Sequence, residues 1–256
     1  MSALHVQRNQ PDGVPPLELT GERTLPDVPA ENYWFRRHLA VYEWIAARTQ
    51  GRRVVDMACG EGYGADLLAR TAKSVVGVDA NPEAHEHARL RYRRDNLRFD
   101  RDMVETWAAE EVDAVVFLQT IEHVHDPGAV LEHFKELLAP GGAVYVTTPN
   151  VLTLAPPGAA KSDNPWHLKE YRPEEFRALL EPHFSQIRII GLHHARKLKA
   201  HGWALKAGWD RVHAALGITR PFYDRFTPAI SSSDFALRGS PAPLERALDL
   251  LAVCRP

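Results

Sequence analysis

Apolar and polar residues along this chain follow two periods in alternation. Five short runs have the composition of buried strands, and the stretches between them, such as "PEAHEHARLRYRR" and "PGAVLEHFKELLAP", have apolar residues at helical spacing. Strands that alternate with helices favour a parallel sheet covered on both faces. We therefore predict an α/β fold with a doubly wound sheet. The runs are "RVVDMA" (53–58), "SVVGVDA" (74–80), "LRFDRD" (97–102), "VDAVVFLQ" (112–119) and "GAVYVTTP" (142–149).

The pattern changes near residue 31. Residues 9–30 hold five prolines and two glycines, which is typical of an extended segment. The stretch "ENYWFRRHLAVYEWIAAR" that follows has apolar residues at helical spacing and predicts an amphipathic helix. We therefore predict an extended N-terminal lead over residues 1–30 and one domain over residues 31–256.

The last quarter of the chain interrupts the alternation. Two further strands are predicted at "QIRIIGL" (186–192) and "DLLAVCR" (249–255). Between them, residues 195–240 form a looser stretch that contains Trp203, Trp209, Phe222 and Phe226. We interpret this stretch as an insert that serves as a lid or an oligomerisation element, and we expect any homodimer to form through it.

Composition and charge narrow the class of protein. The 256 residues are 45% hydrophobic and 25% charged, as in an ordinary globular protein, and the net charge is −2. This charge gives no strong attraction to nucleic acid, and no apolar run is long enough to span a bilayer. Two lone cysteines, Cys59 and Cys254, form no disulfide framework. We therefore expect a cytoplasmic protein with no membrane insertion and no nucleic-acid partner.

A glycine-rich turn follows the first predicted strand. In "VVDMACGEGYGADLLA" (54–69), three glycines stand directly after the valine run, at residues 60, 62 and 64. Glycine permits positive φ and lets a ligand approach the main chain. Asp79 ends the second strand, 19 residues beyond Gly60. An acid at this distance can accept hydrogen bonds from the hydroxyls of a ribose, so the turn and the acid predict a nucleotide-type cofactor.

Two classes of enzyme use this geometry. The glycines can be read as the Gly60-x-Gly62-x-x-Ala65 fingerprint of dinucleotide-binding dehydrogenases. They also resemble motif I of class I S-adenosylmethionine methyltransferases, in which an acid, here Asp56, precedes the glycines. Asp56 can hold the amino group at the methionine end of that cofactor, whereas Asp56 and Glu61 would repel a pyrophosphate. The helix before the first strand and the strand at the chain end also favour the methyltransferase class.

Further stretches extend the resemblance. "LQTIEHVHDP" (118–127) and "LLAPGGAVYVTTPN" are similar to motifs of ubiquinone-type and glycan-cluster methyltransferases. "TGERTLPDVPAENYWFRRH" and "NPWHLKEY" resemble the actinobacterial sugar O-methyltransferases, in particular mycobacterial enzymes of methylmannose polysaccharide synthesis. The likeness runs from Thr20 to Pro256 and is weakest over 195–240. It implies a Rossmann-like, seven-stranded sheet with an antiparallel last strand, and a methyltransferase that acts on a sugar hydroxyl of a mannoside, oligosaccharide or glycan precursor.

Position along the strands gives the expected cofactor contacts. Asp102 is expected to accept a hydrogen bond from the adenine amino group, with Met103 against the ring, and Gln119 to lie under the methionine moiety. By resemblance, Arg37 is directed at the cofactor carboxylate, although an arginine on a solvated helix face is the alternative. The full set expected to bind S-adenosylmethionine is Arg37, Asp56, Cys59, Gly60, Glu61, Gly62, Asp79, Ala80, Asp102, Met103 and Gln119.

Two histidines are the candidate catalytic residues. Methyl transfer to a hydroxyl requires alignment of donor and acceptor and removal of a proton, for which histidine is suited. His123 follows the fourth strand, and His167 lies in "NPWHLKEY"; either is alternatively a structural histidine. The ubiquinone-type pattern Glu-x-x-Glu-His is associated with Mg²⁺. Here Gln119 replaces the first Glu, so Glu122 and His123 would recruit Mg²⁺ only weakly and we predict no dedicated metal site.

Two other functions fit parts of the sequence. The "IEHVHDP" stretch alone favours an O-methyltransferase of a small phenol or quinone precursor. Residues 195–225 carry seven Lys and Arg against two Asp, a net charge of +5, with interleaved tryptophans. This basic stretch is compatible with a non-catalytic cofactor-binding or RNA-binding protein. A saccharide acceptor remains the leading hypothesis.

Overall fold

A computed structural model describes residues 4–8, 10–20, 23–109, 111–156 and 158–256. Within these ranges, eight strands form the central sheet. Valine-rich runs become its inner strands because they are buried on both faces. The strands are β1 (Arg53–Met57), β2 (Ser74–Val78), β3 (Leu97–Asp100), β4 (Val112–Leu118), β5 (Leu138–Pro149), β6 (Gln186–His194), β7 (Phe235–Arg238) and β8 (Asp249–Arg255).

The strand order across the sheet is β3-β2-β1-β4-β5-β8-β6-β7. The first five of these neighbours pair in parallel. The last strand of the chain, β8, lies antiparallel between β5 and β6. The predicted doubly wound α/β sheet with an antiparallel last strand is therefore confirmed. The eighth strand, β7, was not predicted because four residues with no clear period give little sequence signal; it pairs with the edge of β6.

Helices cover both faces of the sheet. The helices are α1 (Asn32–Ala46), α2 (Tyr63–Ala69), α3 (Pro82–Arg91), α4 (Pro127–Glu136), α5 (Val151–Leu154), α6 (Pro173–Leu180), α7 (Arg196–Lys206), α8 (Trp209–Ala215) and α9 (Thr219–Phe226). On one face, α1 and α2 bury Val41, Ile45 and Leu68 against the strands. On the other face, α4 and α6 bury Phe134 and Phe176. Short 3₁₀ turns cover Ile121–His123, Ser232–Asp234 and Leu244–Arg246.

The N-terminal lead packs on the domain. Leu4–His5 and Leu17–Glu18 pair as a two-residue antiparallel hairpin. The Gln7 side-chain amide donates to Glu61 Oε1 at 2.9 Å, which joins the lead to the glycine turn. The described part of the lead is thus more ordered than an extended segment, because Leu17, Leu25 and Val28 are buried in a small apolar cluster of their own. The domain boundary at residue 30 stays a prediction.

The insert is tied to the first helix. The Asn32 amide donates to the carbonyl oxygens of Thr227 and Ile230 at 2.8 and 2.9 Å, so α1 fixes the segment that leaves α9. The insert itself holds α7, α8, α9 and the edge strand β7. Among the described residues, no helix is long and apolar enough to cross a membrane.

Candidate active site

Two adjoining cavities lie at the carboxyl ends of the parallel strands. Strand β1 has β2 on one side and β4 on the other, so the strand order reverses here, which is where open α/β sheets bind ligands. The cavity at the glycine turn, of about 300 Å³, is called the cofactor cavity here. Its neighbour, of about 440 Å³, is called the acceptor cavity. Both are lined by Thr24, His38, Gln119 and His123.

Each of the three positions in the turn requires glycine for a different physical reason. Gly60 lines the cofactor cavity at φ +56°, and a Cβ atom there would meet no atom within 4 Å. A Cβ at Gly62 would lie 2.8 Å from the Ala88 Cβ, and one at Gly64 would lie 2.1 Å from the Tyr42 ring. Gly60 is therefore the glycine that opens the backbone to a ligand. Gly62, which we expected to contact the cofactor, serves the packing of α3 on the turn.

Asp79 is held in place by backbone amides. Its Oδ2 accepts a hydrogen bond from Gly60 N at 2.7 Å, and its Oδ1 accepts one from Asn81 N at 2.9 Å. Each carboxylate oxygen keeps a further lone pair, so the pair can still accept from two neighbouring ribose hydroxyls. Asn81 also lines the cavity, whereas the expected Ala80 is exposed and does not. Asn81 went unrecognised, although its place before Pro82 marks the N-cap of α3.

The acids of the turn point elsewhere. Asp56 is fully buried beneath the turn, where the Tyr42 hydroxyl donates to it at 3.1 Å, and burial raises its pKa to about 8. Glu61 lines the cavity, but its carboxylate accepts hydrogen bonds from Gln7 and from the Tyr92 hydroxyl. The structure therefore corrects the expectation that Asp56 faces the amino group of the cofactor, because its side chain points into the core.

Two non-glycine residues at the strand ends have positive φ. Ala58, after β1, has φ 56°, and Gln119, after β4, has φ 53°. Such conformations cost about 1–3 kcal/mol each and cluster at functional sites. Both residues line the cofactor cavity, as does the buried Cys59, whose thiol pKa is raised by burial. Gln119 is fixed because its backbone N–H and its side-chain amide both donate to Thr147 Oγ1 at 3.0 Å.

Three expected cofactor contacts lie outside the cavity wall. Arg37 is 4% exposed, and its Nε donates to Asp249 Oδ2 at 2.7 Å in a buried ion pair. Asp102 and Met103 are exposed beyond β3, which ends at Asp100. Neither they nor Arg37 line the cofactor cavity. Arg37 is therefore buried in the interior, where it pairs with Asp249, whereas Asp102 and Met103 lie on the surface.

His123 stands where the two cavities meet. It ends the 3₁₀ turn that follows β4 and lines both cavities. Its Nδ1 lies 2.9 Å from the Trp166 carbonyl oxygen, which accepts the Nδ1 proton. Nε2 is then the basic nitrogen of the neutral ring.

His167 lies beside His123 but is held differently. The two rings meet edge to face with centroids 5.0 Å apart. His167 Nδ1 lies 2.7 Å from Glu170 Oε1, and its Nε2 lies 3.0 Å from the Asn164 side-chain nitrogen. Both ring nitrogens therefore have partners inside the loop. The buried ring lines the acceptor cavity but not the cofactor cavity.

Glu170 is a site residue that sequence reasoning missed. Burial raises the pKa of Glu170, but hydrogen bonds from Ser162 and His167 outweigh burial and leave that pKa below its ordinary value. The ionised carboxylate orients the His167 ring. The only signal in the sequence was position, since Glu170 follows His167 by three residues in "NPWHLKEY".

Glu122, His123 and His167 bring three candidate metal ligands within 4.8 Å of one another. Glu122 is 1% exposed, its Oε2 has no hydrogen-bond partner among the described residues, and burial raises its pKa to about 8. Mg²⁺ prefers near-octahedral oxygen ligands, whereas two imidazoles and one carboxylate suit transition metals. This donor set therefore does not fit the Mg²⁺ of the ubiquinone-type pattern.

Comparisons with known proteins agree with this geometry. A family described as "Methyltransferase domain" matches residues 31–212. A Mycobacterium tuberculosis protein named "Probable S-adenosylmethionine-dependent methyltransferase" is 34% identical over 97% of this chain and 96% of its own. A ubiquinone biosynthesis O-methyltransferase of Xanthomonas axonopodis is 36% identical over only 42% of this chain and 48% of that protein.

The fold is also found among solved structures. An S-adenosylmethionine-dependent methyltransferase from Thermotoga maritima has a TM-score of 0.58 over 87% of this chain and 92% of its own, at 15% identity. That likeness supports the fold, while the family match and the tuberculosis relative cover most of the sequence. A glycine turn and an anchored acid at the switch point complete the agreement. The chain therefore belongs to the S-adenosylmethionine-dependent methyltransferases.

Proposed function

We propose that this methyltransferase transfers the methyl group of S-adenosylmethionine to a hydroxyl oxygen of a saccharide. The observation that carries the proposal is the position of His123, which lines both the cofactor cavity and the acceptor cavity. A base at that junction can reach the proton of an acceptor that lies against the methyl donor.

The residues of the cofactor cavity fit S-adenosylmethionine. Gly60 leaves space beside the main chain, and Asp79 offers two oriented acceptors for a ribose. Gln119 borders both cavities, next to the place where the methionine end would lie. When bound, the cofactor supplies a methyl group that its sulfonium makes electrophilic.

His123 performs the proton transfer in this proposal. As the acceptor oxygen bonds to the methyl carbon, the carbon–sulfur bond would break and release S-adenosylhomocysteine, and Nε2 of His123 would take the proton of the acceptor hydroxyl. The Trp166 carbonyl holds the Nδ1 proton at 2.9 Å and so keeps the ring in the tautomer that this step needs. The same hydrogen bond stabilises the imidazolium that forms.

His167 is assigned as a positioning residue. Its two nitrogens are occupied by Glu170 and Asn164, so it organises the loop whose Trp166 carbonyl orients His123. The Leu168 N–H donates to the Glu122 carbonyl at 2.9 Å and ties this loop to the 3₁₀ turn. The loop therefore connects the acceptor wall directly to the proposed base.

The acceptor cavity suits a sugar ring. Trp34 lines it and is 40% exposed, and an aromatic face can cover the apolar C–H side of a pyranose. Ser162, Asp163 and Asn164 also line this cavity, and their polar groups can bind hydroxyl groups. The sequence resemblance to sugar O-methyltransferases supports a mannoside or a related oligosaccharide of polysaccharide synthesis as the acceptor.

A labelled-methyl assay tests the acceptor class. The protein is incubated with labelled S-adenosylmethionine and a panel of mannosides, catechols, quinols and RNA, with and without a chelator. We expect label on a mannoside hydroxyl, at a rate that the chelator leaves unchanged, and a higher KM for Trp34→Ala than for Trp34→Phe. Label on a catechol, quinol or RNA with none on any saccharide would contradict the proposal.

A small phenol or quinol is the second candidate acceptor. The partial likeness to a ubiquinone biosynthesis O-methyltransferase and the apolar residues Pro149, Leu154 and Pro156 of the acceptor cavity favour it. The two acceptors differ in acidity, because a phenol has a pKa near 10. Raising the pH would restore the rate of His123→Ala on a phenol, whereas a sugar hydroxyl stays protonated and the variant stays slow.

A further inference from the structure

The helical insert has an apolar groove that is open to solvent. Pro221, Phe222 and Arg225 lie on α9, and Ile218 and Ala229 lie near its two ends. Together with Phe226 they line an open groove of about 520 Å³. Arg225 is the single charged side chain among these groove residues.

Helix α8 and its C-cap expose further apolar residues in the same segment. Val212 and Leu216 lie one turn apart and are 46% and 64% exposed, and the neighbouring Ile218 is 39% exposed. Trp203 on α7 is 64% exposed. Single exposed apolar residues are ordinary, but several within one short helical segment mark an interaction surface.

The same segment is strongly basic. Residues 195–225 have a net charge of +5, which leaves −7 on the rest of the chain, since the total is −2. Lys197 pairs with Asp234, and Arg220 lies 3.8 Å from Asp224. Lys206 and Arg211 are exposed and form no salt bridge within the described part of the chain. The near-neutral net charge of the chain is therefore the sum of a basic insert and an acidic remainder.

We propose that the α7–α9 insert docks on a membrane surface that contains anionic lipids. The apolar face of α8 and α9 would enter the boundary between headgroups and acyl chains, while Lys206 and Arg211 contact the anionic headgroups. An amphipathic, basic helical surface with exposed leucine and tryptophan has the composition that such interfacial binding requires. The attachment is peripheral, in agreement with the lack of a spanning helix among the described residues.

Charge and side-chain type favour this occupant over two others. A second copy of the chain would bring its own basic insert against the first, and like charges repel in such a contact. Single-stranded RNA is gripped by stacking on successive exposed aromatic rings. The large exposed apolar residues of α8 and its C-cap are the aliphatic Val212 and Leu216, and the Phe222 ring is already stacked on His213 and Phe226. An anionic bilayer satisfies the positive charge and the aliphatic surface together. This inference does not depend on which hydroxyl the enzyme methylates.

Vesicle co-sedimentation of the full chain tests the inference. The vesicles are an equal mixture of phosphatidylglycerol and phosphatidylcholine, or phosphatidylcholine alone, each at low and at high salt. We expect sedimentation with the anionic vesicles at low salt and release at high salt. Leu216→Asn and the double variant Lys206→Glu/Arg211→Glu should each lower the partition coefficient by at least about tenfold.

Matched controls separate the surface from general effects. Leu4 is 68% exposed, so Leu4→Asn removes a comparable apolar side chain elsewhere. Lys73→Glu/Arg93→Glu makes the same charge change at exposed positions outside the insert. Both controls should sediment like the unaltered chain, and all variants should bind S-adenosylhomocysteine equally in calorimetry.

Several results would overturn the inference. The inference fails if the unaltered chain stays in the supernatant with both vesicle types, or if the insert variants bind the anionic vesicles as well as the controls do. Salt-sensitive RNA binding without vesicle binding would assign the surface to nucleic acid. A concentration-dependent dimer that Leu216→Asn abolishes, again without vesicle binding, would assign it to a second copy, as the homodimer prediction has it.

Discussion

The cofactor cavity and the acceptor cavity are built from the chain in different ways. The central part of the cofactor cavity comes from one continuous stretch of chain, which runs through β1, the glycine turn, α2 and β2. Within it, Gly60 N donates a hydrogen bond to Asp79, only 19 residues away. The second joins Trp34, His123 and the loop around His167, and the hydrogen bond from His123 to Trp166 spans 43 residues. Local backbone rules govern the first site, and long-range packing governs the second.

The two cavities also differ in what holds their key residues. Backbone N–H groups orient Asp79, so its position follows from the conformation of the turn itself. His123 depends on a loop that is fixed by side chains, through Glu170 and Asn164. We expect changes on the acceptor side to affect turnover and changes in the cofactor unit to affect cofactor affinity.

The largest effect is expected at His123. His123→Ala removes the proposed base, and loss of a general base typically lowers turnover about 100- to 10,000-fold. Binding of S-adenosylhomocysteine, measured by calorimetry, should stay within about twofold, because Asp79 and Gly60 are untouched. Full turnover in this variant would mean that His123 is not the base, and it would contradict the assignment of turnover to the acceptor side.

His167→Ala provides the contrast on the same wall. It should lower the melting temperature because Glu170 loses a buried partner. It should also lower turnover, though less than His123→Ala does, because the loop that orients His123 is loosened. Glu170→Gln should lower turnover by a smaller amount, since the loop still closes but the His167 ring is less firmly oriented. Turnover in His167→Ala that equals that of His123→Ala, at unchanged stability, would instead assign the proton transfer to His167.

Arg37 tests whether a buried ion pair serves the fold or the cofactor. Arg37→Met leaves Asp249 buried without its partner, which should destabilise the protein by about 3–5 kcal/mol in urea unfolding. Arg37→Met combined with Asp249→Leu should recover much of that free energy of unfolding. Preserved stability with weakened cofactor binding would support the carboxylate contact that the family resemblance implies.

The glycine turn separates ligand binding from packing within five residues. Gly60→Val should weaken S-adenosylhomocysteine binding by at least about hundredfold, because a β-branched residue at φ +56° is strained and fills the open side of the turn. Gly62→Ala should mainly lower the melting temperature, since its Cβ would lie 2.8 Å from Ala88. Equal losses of affinity in the two folded variants would contradict these separate roles.

Asp79→Ala extends the same test to the ribose site. It removes both acceptors for the ribose and two backbone hydrogen bonds of the turn. We expect cofactor affinity to fall by at least about tenfold, since hydrogen bonds to charged groups contribute about 1.5–3 kcal/mol each. Unchanged affinity in calorimetry would mean that the turn binds no ribose.

The smallest effect concerns the buried acid of the acceptor cavity. Burial raises the pKa of Glu122 from 4.5 to about 8, so between these values the folded state holds a proton that the unfolded state has lost. Stability therefore falls as pH rises through this window, by about 1.4 kcal/mol per pH unit, and the loss is complete above about pH 8.

Glu122→Gln should remove this dependence. The difference in free energy of unfolding between Glu122→Gln and the unaltered chain should grow from about pH 5 to pH 8, as measured by urea titration at several pH values. Asp56, whose pKa is also raised to about 8, contributes equally to both proteins and cancels. Exposed Glu174→Gln is the control. A pH-independent difference would mean that Glu122 stays ionised in the fold.

Some boundaries could not be taken from the sequence because they depend on neighbouring strands. Strand β5 begins at Leu138 rather than at residue 142, because Leu138 pairs with Val112 before the register shifts. Strand β7 exists only through its pairing with β6. The dihedral angles of Ala58 and Gln119 likewise carry no residue-type signal, since neither is glycine.

By itself, the sequence determined the α/β alternation, the glycine turn and Asp79, because each depends on residues close together in the chain. The antiparallel last strand came from the family resemblance, since its partners in β5 lie 100 or more residues away. Only the tertiary structure decided that Arg37 faces Asp249, that Asp56 points into the core and that His123 joins the two cavities. Side-chain direction depends on the packing of distant segments. Spacing along the chain fixes where a residue lies on the sheet, but its partners are chosen by what the fold brings beside it.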